Sequence, residues 1–150
     1  NIRSYNFTAI RSNKSGKSEG RVALSFSPAS TEGANQPNLS WFEFDKPDEN
    51  GRINVKLDEI IFKNAKLYLY GVTSKSNDVE ISKVHLGTCK NTLCKEVADF
   101  GNGTYGIVHI YSTEGSLQER NPPIDISSDD FKIAVKIIKT IRFYKEYHFP

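Results

Sequence analysis

Ala65-Lys66-Leu67-Tyr68-Leu69-Tyr70 decides the fold class. Ala65, Leu67 and Leu69 fall on one face of an extended chain, and Lys66, Tyr68 and Tyr70 on the other. Successive strand side chains point to opposite faces, so this two-residue rhythm describes a strand with one side turned to a core. The rhythm recurs in both directions. Val22-Ala23-Leu24-Ser25-Phe26-Ser27 and Ile53-Asn54-Val55-Lys56-Leu57 alternate in the same way, and Tyr105 to Tyr111 is a β-rich run suited to burial on both faces. Val79-Glu80-Ile81 and Val84-His85-Leu86 are out of phase by one residue, which predicts a bulge near Ser82-Lys83. Phe131 to Ile137 alternates without a break, and Ile141 to Lys145 continues it. Ser127-Ser128-Asp129-Asp130 would also cap a helix there, with Phe131, Ala134, Val135 and Ile138 on one face. The strand reading is preferred because Ile133, Val135 and Ile137 are β-branched and Lys132 and Lys136 would face solvent.

Turn chemistry separates these runs. Lys46-Pro47-Asp48-Glu49-Asn50-Gly51 ends in Asn-Gly, a strong hairpin signal, and polar Gly-, Pro- or Asn-bearing stretches lie at 12–20, 30–38, 74–78, 100–104 and 120–123. Eight or nine short strands at this spacing predict an all-β, two-sheet, jelly-roll-like sandwich. A chain of 150 residues holds one such domain, residues 1–150. The hydrophobic share is only 37%, yet 9 Phe, 7 Tyr and 1 Trp supply a packed core. A net charge of +2 argues against a general nucleic-acid binder. No apolar run reaches the roughly 18–20 residues of a membrane span, so membrane insertion is not expected. With no Met and no visible signal peptide, the chain is read as a processed or trimmed segment.

Cys89-Lys90-Asn91-Thr92-Leu93-Cys94 places two cysteines on either side of a turn between strand-like runs. Pairing of those runs would bring the Cβ atoms close to the roughly 3.5–4.5 Å of a disulfide, preferred here over free thiols or a zinc site. A loop so short would contribute about 2 kcal/mol in the chain-entropy model. Asn6, Asn13, Asn38 and Asn102 each begin an Asn-x-Ser/Thr triplet and are candidate glycosylation sites in a secreted chain. Cysteine use and these triplets together predict a secreted or cell-surface protein.

Catalytic groups do not converge in the sequence. His85, His109 and His148 are scattered, and no nucleophile-elbow, zinc-helix or phosphate-loop motif is present. The tract Ser15-Gly16-Lys17-Ser18 has Arg11 where a phosphate loop needs its first glycine. Asp45, Asp48 and Glu49 read as a solvated hairpin loop; calcium held by Asp45, Asp48 and loop carbonyls is the alternative, without EF-hand spacing. A basic cluster of Arg3, Arg11, Lys14, Lys17 and Arg21 reads as a solvated loop. The chain is therefore expected to be no enzyme and to need no cofactor or metal.

The binding candidates are Tyr68, Tyr70 and Lys66 on one strand face, and Trp41. Tyrosines at i and i+2 on an outward face suit the apolar side of a sugar, with the hydroxyls as polar handles; the bland alternative is that they are cross-strand packing partners. Trp41 is either a ligand platform or a cover for the core, with Phe42 and Phe44 on the opposite face of its run.

Three stretches carry a family likeness over the first half. These are Thr8-Ala9-Ile10-Arg11-Ser12 leading through Gly20 into Val22–Ser27, then Trp41-Phe42-Glu43-Phe44-Asp45, then Ile61 to Leu69 with its Ala65-Lys66-Leu67-Tyr68-Leu69 core. In this order they resemble DNRLRE-type jelly-roll carbohydrate-binding modules. The stretch from Phe42-Glu43-Phe44-Asp45 to Ala65-Lys66-Leu67-Tyr68-Leu69 is also similar to propeptides of the transforming-growth-factor-β superfamily. The first likeness implies a β-sandwich that binds a glycan; the second implies a protein partner. The expected function is a non-catalytic module recognising a glycan, with a protein-interaction domain (adhesin, host-interaction or propeptide-like) as the alternative.

Overall fold

The computed structural model describes residues 5–8, 22–28, 40–62, 65–73, 80–101, 104–112 and 123–141. The protein is an all-β sandwich in class; among the described residues its strands pair antiparallel and there is one short helix. Its strands are β1 (Tyr5–Thr8), β2 (Val22–Pro28), β3 (Phe42–Glu43), β4 (Asn54–Phe62), β5 (Ala65–Thr73), β6 (Ile81–Lys90), β7 (Leu93–Lys95), β8 (Ala98–Gly101) and β9 (Thr104–Ser112). The helix is α1 (Asp129–Thr140). These nine strands form one hydrogen-bonded network, six of them in the order β1-β2-β9-β6-β5-β4, with β3, β7 and β8 off that path. β6 and β9 pair from Lys83↔Tyr111 to Leu86↔Val108. Beyond that point β7 takes the edge of β6 and β8 takes the edge of β9.

Alternation produces the core. Leu67 and Leu69 of β5, Val84 and Leu86 of β6, Val108 and Ile110 of β9, and Val22 and Leu24 of β2 are all buried on one face. Phe100 of β8 joins them, its ring edge-on to Phe62 of β4 at 5.2 Å and tilted to Phe26 at 6.2 Å. The expected bulge is present: Val72 pairs with Lys83 and Thr73 with Ile81, which leaves Ser82 as the extra residue. Its hydroxyl donates to the Val72 carbonyl oxygen at 3.1 Å, so the bulge retains a polar contact. The Asn50-Gly51 signal is a tight turn. Gly51 N donates to the Asp48 carbonyl oxygen and Asp48 N to that of Arg52, with Gly51 at φ 75°. This is a type I turn closed by a left-handed glycine, the three-residue hairpin solution.

The strand expected over Phe131–Ile137 is instead helix α1, which corrects the sequence reading. Ser128, extended at φ −64° and ψ 151°, accepts a hydrogen bond from Phe131 N at its side chain. Asp129 and Asp130 occupy the first turn and Lys139 the last, complementing the helix dipole. Phe131, Ala134 and Ile138 are the buried face, spaced three and four apart, while Ile133 and Ile137 are exposed. A strand would have turned Phe131, Ile133, Val135 and Ile137 to one side together. The cap and the small Ala134 favour the helix, which closes the apolar face of the sheet from β2 to β4, where Lys139 Nζ meets Asp58 Oδ2 at 2.9 Å. That contact and the Glu59 backbone N–H hold the Asp58 carboxyl below its ordinary range.

Two substitutions test this packing. Phe100→Ala should cost about 3–5 kcal/mol in urea denaturation, as for a large buried ring leaving a cavity. Ser128→Ala should cost about 1 kcal/mol by losing the helix cap.

Candidate functional site

The second face of the sheet carries Tyr68 and Tyr70 from β5, His85 from β6 and His109 from β9. It is not open as the sequence reading supposed. The β6–β7 hairpin turns at Asn91-Thr92, where Asn91 takes φ 58°, a conformation asparagine tolerates better than most residues. Cys89 pairs with Cys94 across it, and a disulfide joins them; among the described residues no cysteine is free. β3 then pairs with β7, Phe42 opposite Cys94 and Glu43 opposite Leu93. Asp45, at φ 58°, follows directly and donates its N–H to the Asn54 carbonyl oxygen at 2.9 Å, which pins the segment to the start of β4.

This β3–β7 cap lays two phenylalanines on the tyrosines. Phe42 lies 4.9 Å from the Tyr70 ring, and Phe44 lies 6.0 Å from both Tyr68 and Tyr70. Tyr70 is consequently only 2% exposed, and burial raises its hydroxyl pKa far above the ordinary value, with the nearby Glu96 charge adding to the effect. A ring so enclosed cannot serve as a stacking platform, so Tyr70 leaves the set of surface binding residues and becomes a packing residue. Close approach also governs Gly87. A Cβ there would run into the Lys95 carbonyl oxygen and stand 2.9 Å from the Tyr70 ring.

Tyr68 remains half-buried and forms the floor of an open groove of about 520 Å³ together with Phe44. Lys46, Lys56 and Glu43 line one part of it; Cys89, Asn91 and Thr92 of the disulfide hairpin line another. Lys56 Nζ stands 4.8 Å from the Tyr68 ring centroid, a cation–π contact. Glu59 holds that lysine at 3.7 Å and Lys66 at 3.3 Å, and Lys46 pairs with Glu43. Lys66 is thus exposed beside the site. Of the four sequence candidates, only Tyr68 lines the groove.

Trp41 is elsewhere. It is 45% exposed, precedes β3, and alternates to the side opposite Phe42. Lys95 Nζ lies 5.3 Å from its ring and 6.0 Å from that of Tyr105. Asp48 organises its own turn: Oδ1 accepts from Asn50 N and Arg52 N, each at 2.8 Å, and Oδ2 lies 2.9 Å from Arg52 Nε. Among the described residues, no three His, Cys, Asp or Glu side chains are placed together to hold a metal ion. Asn6 lies in β1; Asn13, Asn38, Asn102, His148 and the basic cluster fall outside the described residues. Among the described residues, no helix is long and apolar enough to cross a membrane.

Sequence reasoning passed over a polar cluster beside Tyr70. His85 is opposite His109 in the β6–β9 register, ring centroids 5.6 Å apart and edge-on. His85 stacks on Tyr70 at 5.5 Å with 17° between planes. Glu96 Oε1 is 3.0 Å from His85 Nδ1, an ion-pair distance. His109 Nδ1 is buried without a hydrogen-bond partner among the described residues. The adjacent His85 imidazole holds the Glu96 carboxyl below its ordinary range against the opposing effect of burial. Burial, then His85 and Lys83, lower the pKa of His109, and Glu96 opposes them. The only sequence signal for this cluster was a histidine inside each of two strand runs.

No protein-family model, curated protein or solved structure matches this chain.

Gly87→Ala should destabilise the protein by about 1–3 kcal/mol, the range for overpacking, since the carbonyl it meets is backbone and cannot rotate away. Thermal denaturation measures the loss.

Proposed function

We propose that this chain is a non-catalytic, secreted or cell-surface module that recognises a glycan in the Tyr68 groove. The observation that carries the reading is the Tyr68 ring, half-buried and held by Phe44, at the floor of an open cleft with polar groups on its walls. Sugar rings present apolar C–H faces to aromatic rings and hydroxyls to the surrounding side chains. Tyr68 supplies the first contact, and Asn91, Thr92, Lys46 and Lys56 supply donors and acceptors for the second. The disulfide steadies the Asn91-Thr92 wall and suits an oxidising compartment. No cofactor enters this reading, and the likeness to jelly-roll carbohydrate-binding modules agrees with it.

A glycan array or polysaccharide pull-down tests the proposal. A positive ligand should lose about tenfold or more in affinity with Tyr68→Ala, equivalent to about 1.4 kcal/mol, while Trp41→Ala leaves it unchanged. A blank array, or equal binding by Tyr68→Ala, overturns the reading.

The exposed Trp41, beside Lys95 and near the exposed Leu93, favours a second reading, a protein-interaction domain. Aromatic side chains are enriched at such interfaces. Capture of a discrete protein, insensitive to glycosidase and lost with Trp41→Ala, would support it.

A further inference from the structure

The β3–β7 pair has two sides. Phe42 and Cys94, opposite each other in register, form the inner one, with Phe42 against Tyr70 and Cys94 buried. Leu93 and Lys95 flank Cys94 in β7, so they share the outer side, roughly 7 Å apart at the usual strand rise. Continuing the register by one residue sets Trp41 opposite Lys95. The Lys95 ammonium lies 5.3 Å from the Trp41 ring and 6.0 Å from that of Tyr105. Trp41 and Leu93 are both exposed.

The positive charge on this side is unmatched. Lys46 meets Glu43, Lys56 and Lys66 meet Glu59, and Lys139 meets Asp58. Lys95, half-buried, pairs with no carboxylate among the described residues, and its ammonium rests against the two rings. Glu96, the next residue, lies against His85 instead. Asp99, opposite Tyr105 in the β8–β9 register, accepts the Gly101 N–H at Oδ1. An ammonium held against aromatic rings has already given up part of its water, so an incoming carboxylate gains a charge-assisted hydrogen bond at reduced desolvation cost.

We propose that the Trp41–Lys95–Leu93 surface docks an extended segment of a partner protein that carries an Asp or Glu two positions from an apolar residue. The inference rests on the protein-interaction reading and names its partner's chemistry. An extended chain repeats its same-side residues every second position, as β7 does. An acidic side chain on Lys95 therefore brings the residue two positions away over Leu93. Glu43, opposite Leu93, is already paired with Lys46, so Lys95 selects the acidic position. The Trp41 indole lies beside that ion pair and keeps water from it.

A random dodecapeptide library displayed on phage and selected on the full chain tests the proposal. Enriched sequences should carry Asp or Glu two positions from an aliphatic or aromatic residue. A synthetic peptide from the selection should shift the emission of Trp41, the single tryptophan. It should bind Lys95→Gln about tenfold or more weakly, with Lys95→Arg retaining most of the affinity. Neutralising the acidic residue of the peptide should cost as much, and the two losses should not add. Tyr68→Ala should leave binding unchanged, and circular dichroism checks that each variant is folded. No enrichment, enriched peptides without an acidic residue, or binding lost with Tyr68→Ala overturns the proposal. Binding that is lost with Trp41→Ala but indifferent to Lys95→Gln also overturns it, while leaving the protein-interaction reading in place.

Discussion

Strand β6 is the constraint on which the other elements depend. It pairs with β5 along one edge, and with β9 and then β7 along the other. Its alternation sends Val84 and Leu86 into the apolar core and His85 to the opposite face. A one-residue slip in that register would exchange these sets, placing a histidine in the core and two aliphatic side chains under the aromatic cap. The bulge at Ser82 sets the phase on one side, and the disulfide-closed hairpin fixes the other end. Burial of apolar surface at roughly 25 cal/mol per Å² makes the correct phase strongly preferred.

The two faces of the sheet are closed by different means. Helix α1 and Phe100 cover the aliphatic face with side chains that need no polar partner. Among the described residues, the aromatic face is covered by a two-residue strand and its turn, held by pairing to β7, by Phe42 on Tyr70 and by the Asp45–Asn54 backbone contact. That cover encloses Tyr70, which stacks on the buried His85, whereas the helix covers hydrocarbon. The groove opens where this cap ends, so Tyr68 is reachable and Tyr70 is not.

Much of the strand pattern was legible in the chain. Val22–Ser27, Ala65–Tyr70 and Tyr105–Tyr111 lie within β2, β5 and β9, because period-two alternation is a local property of a half-buried strand. The Ser82 bulge was visible as a phase shift, and the Cys89–Cys94 bridge as two cysteines spaced to face each other across a short turn. Helix α1 was misread because Phe131 to Ile137 satisfies both periods at once; the Ser128 cap and the need for a cover on the sheet decide between them. Tyr68 lines the groove and Tyr70 is enclosed, a difference that sequence spacing could not separate.

The amino-acid sequence by itself determined which side of each strand is apolar, where the chain turns and which cysteines can meet. All three are set by neighbours within a few residues. Only the tertiary structure decided that Phe42 and Phe44 would cover Tyr70 and leave Tyr68 reachable, that Trp41 would face elsewhere, and that His85 would oppose His109 beside Glu96. These contacts join segments far apart in the chain, through β-pairings whose partners and register no local pattern specifies. What can be bound therefore emerges only when the strands are laid side by side.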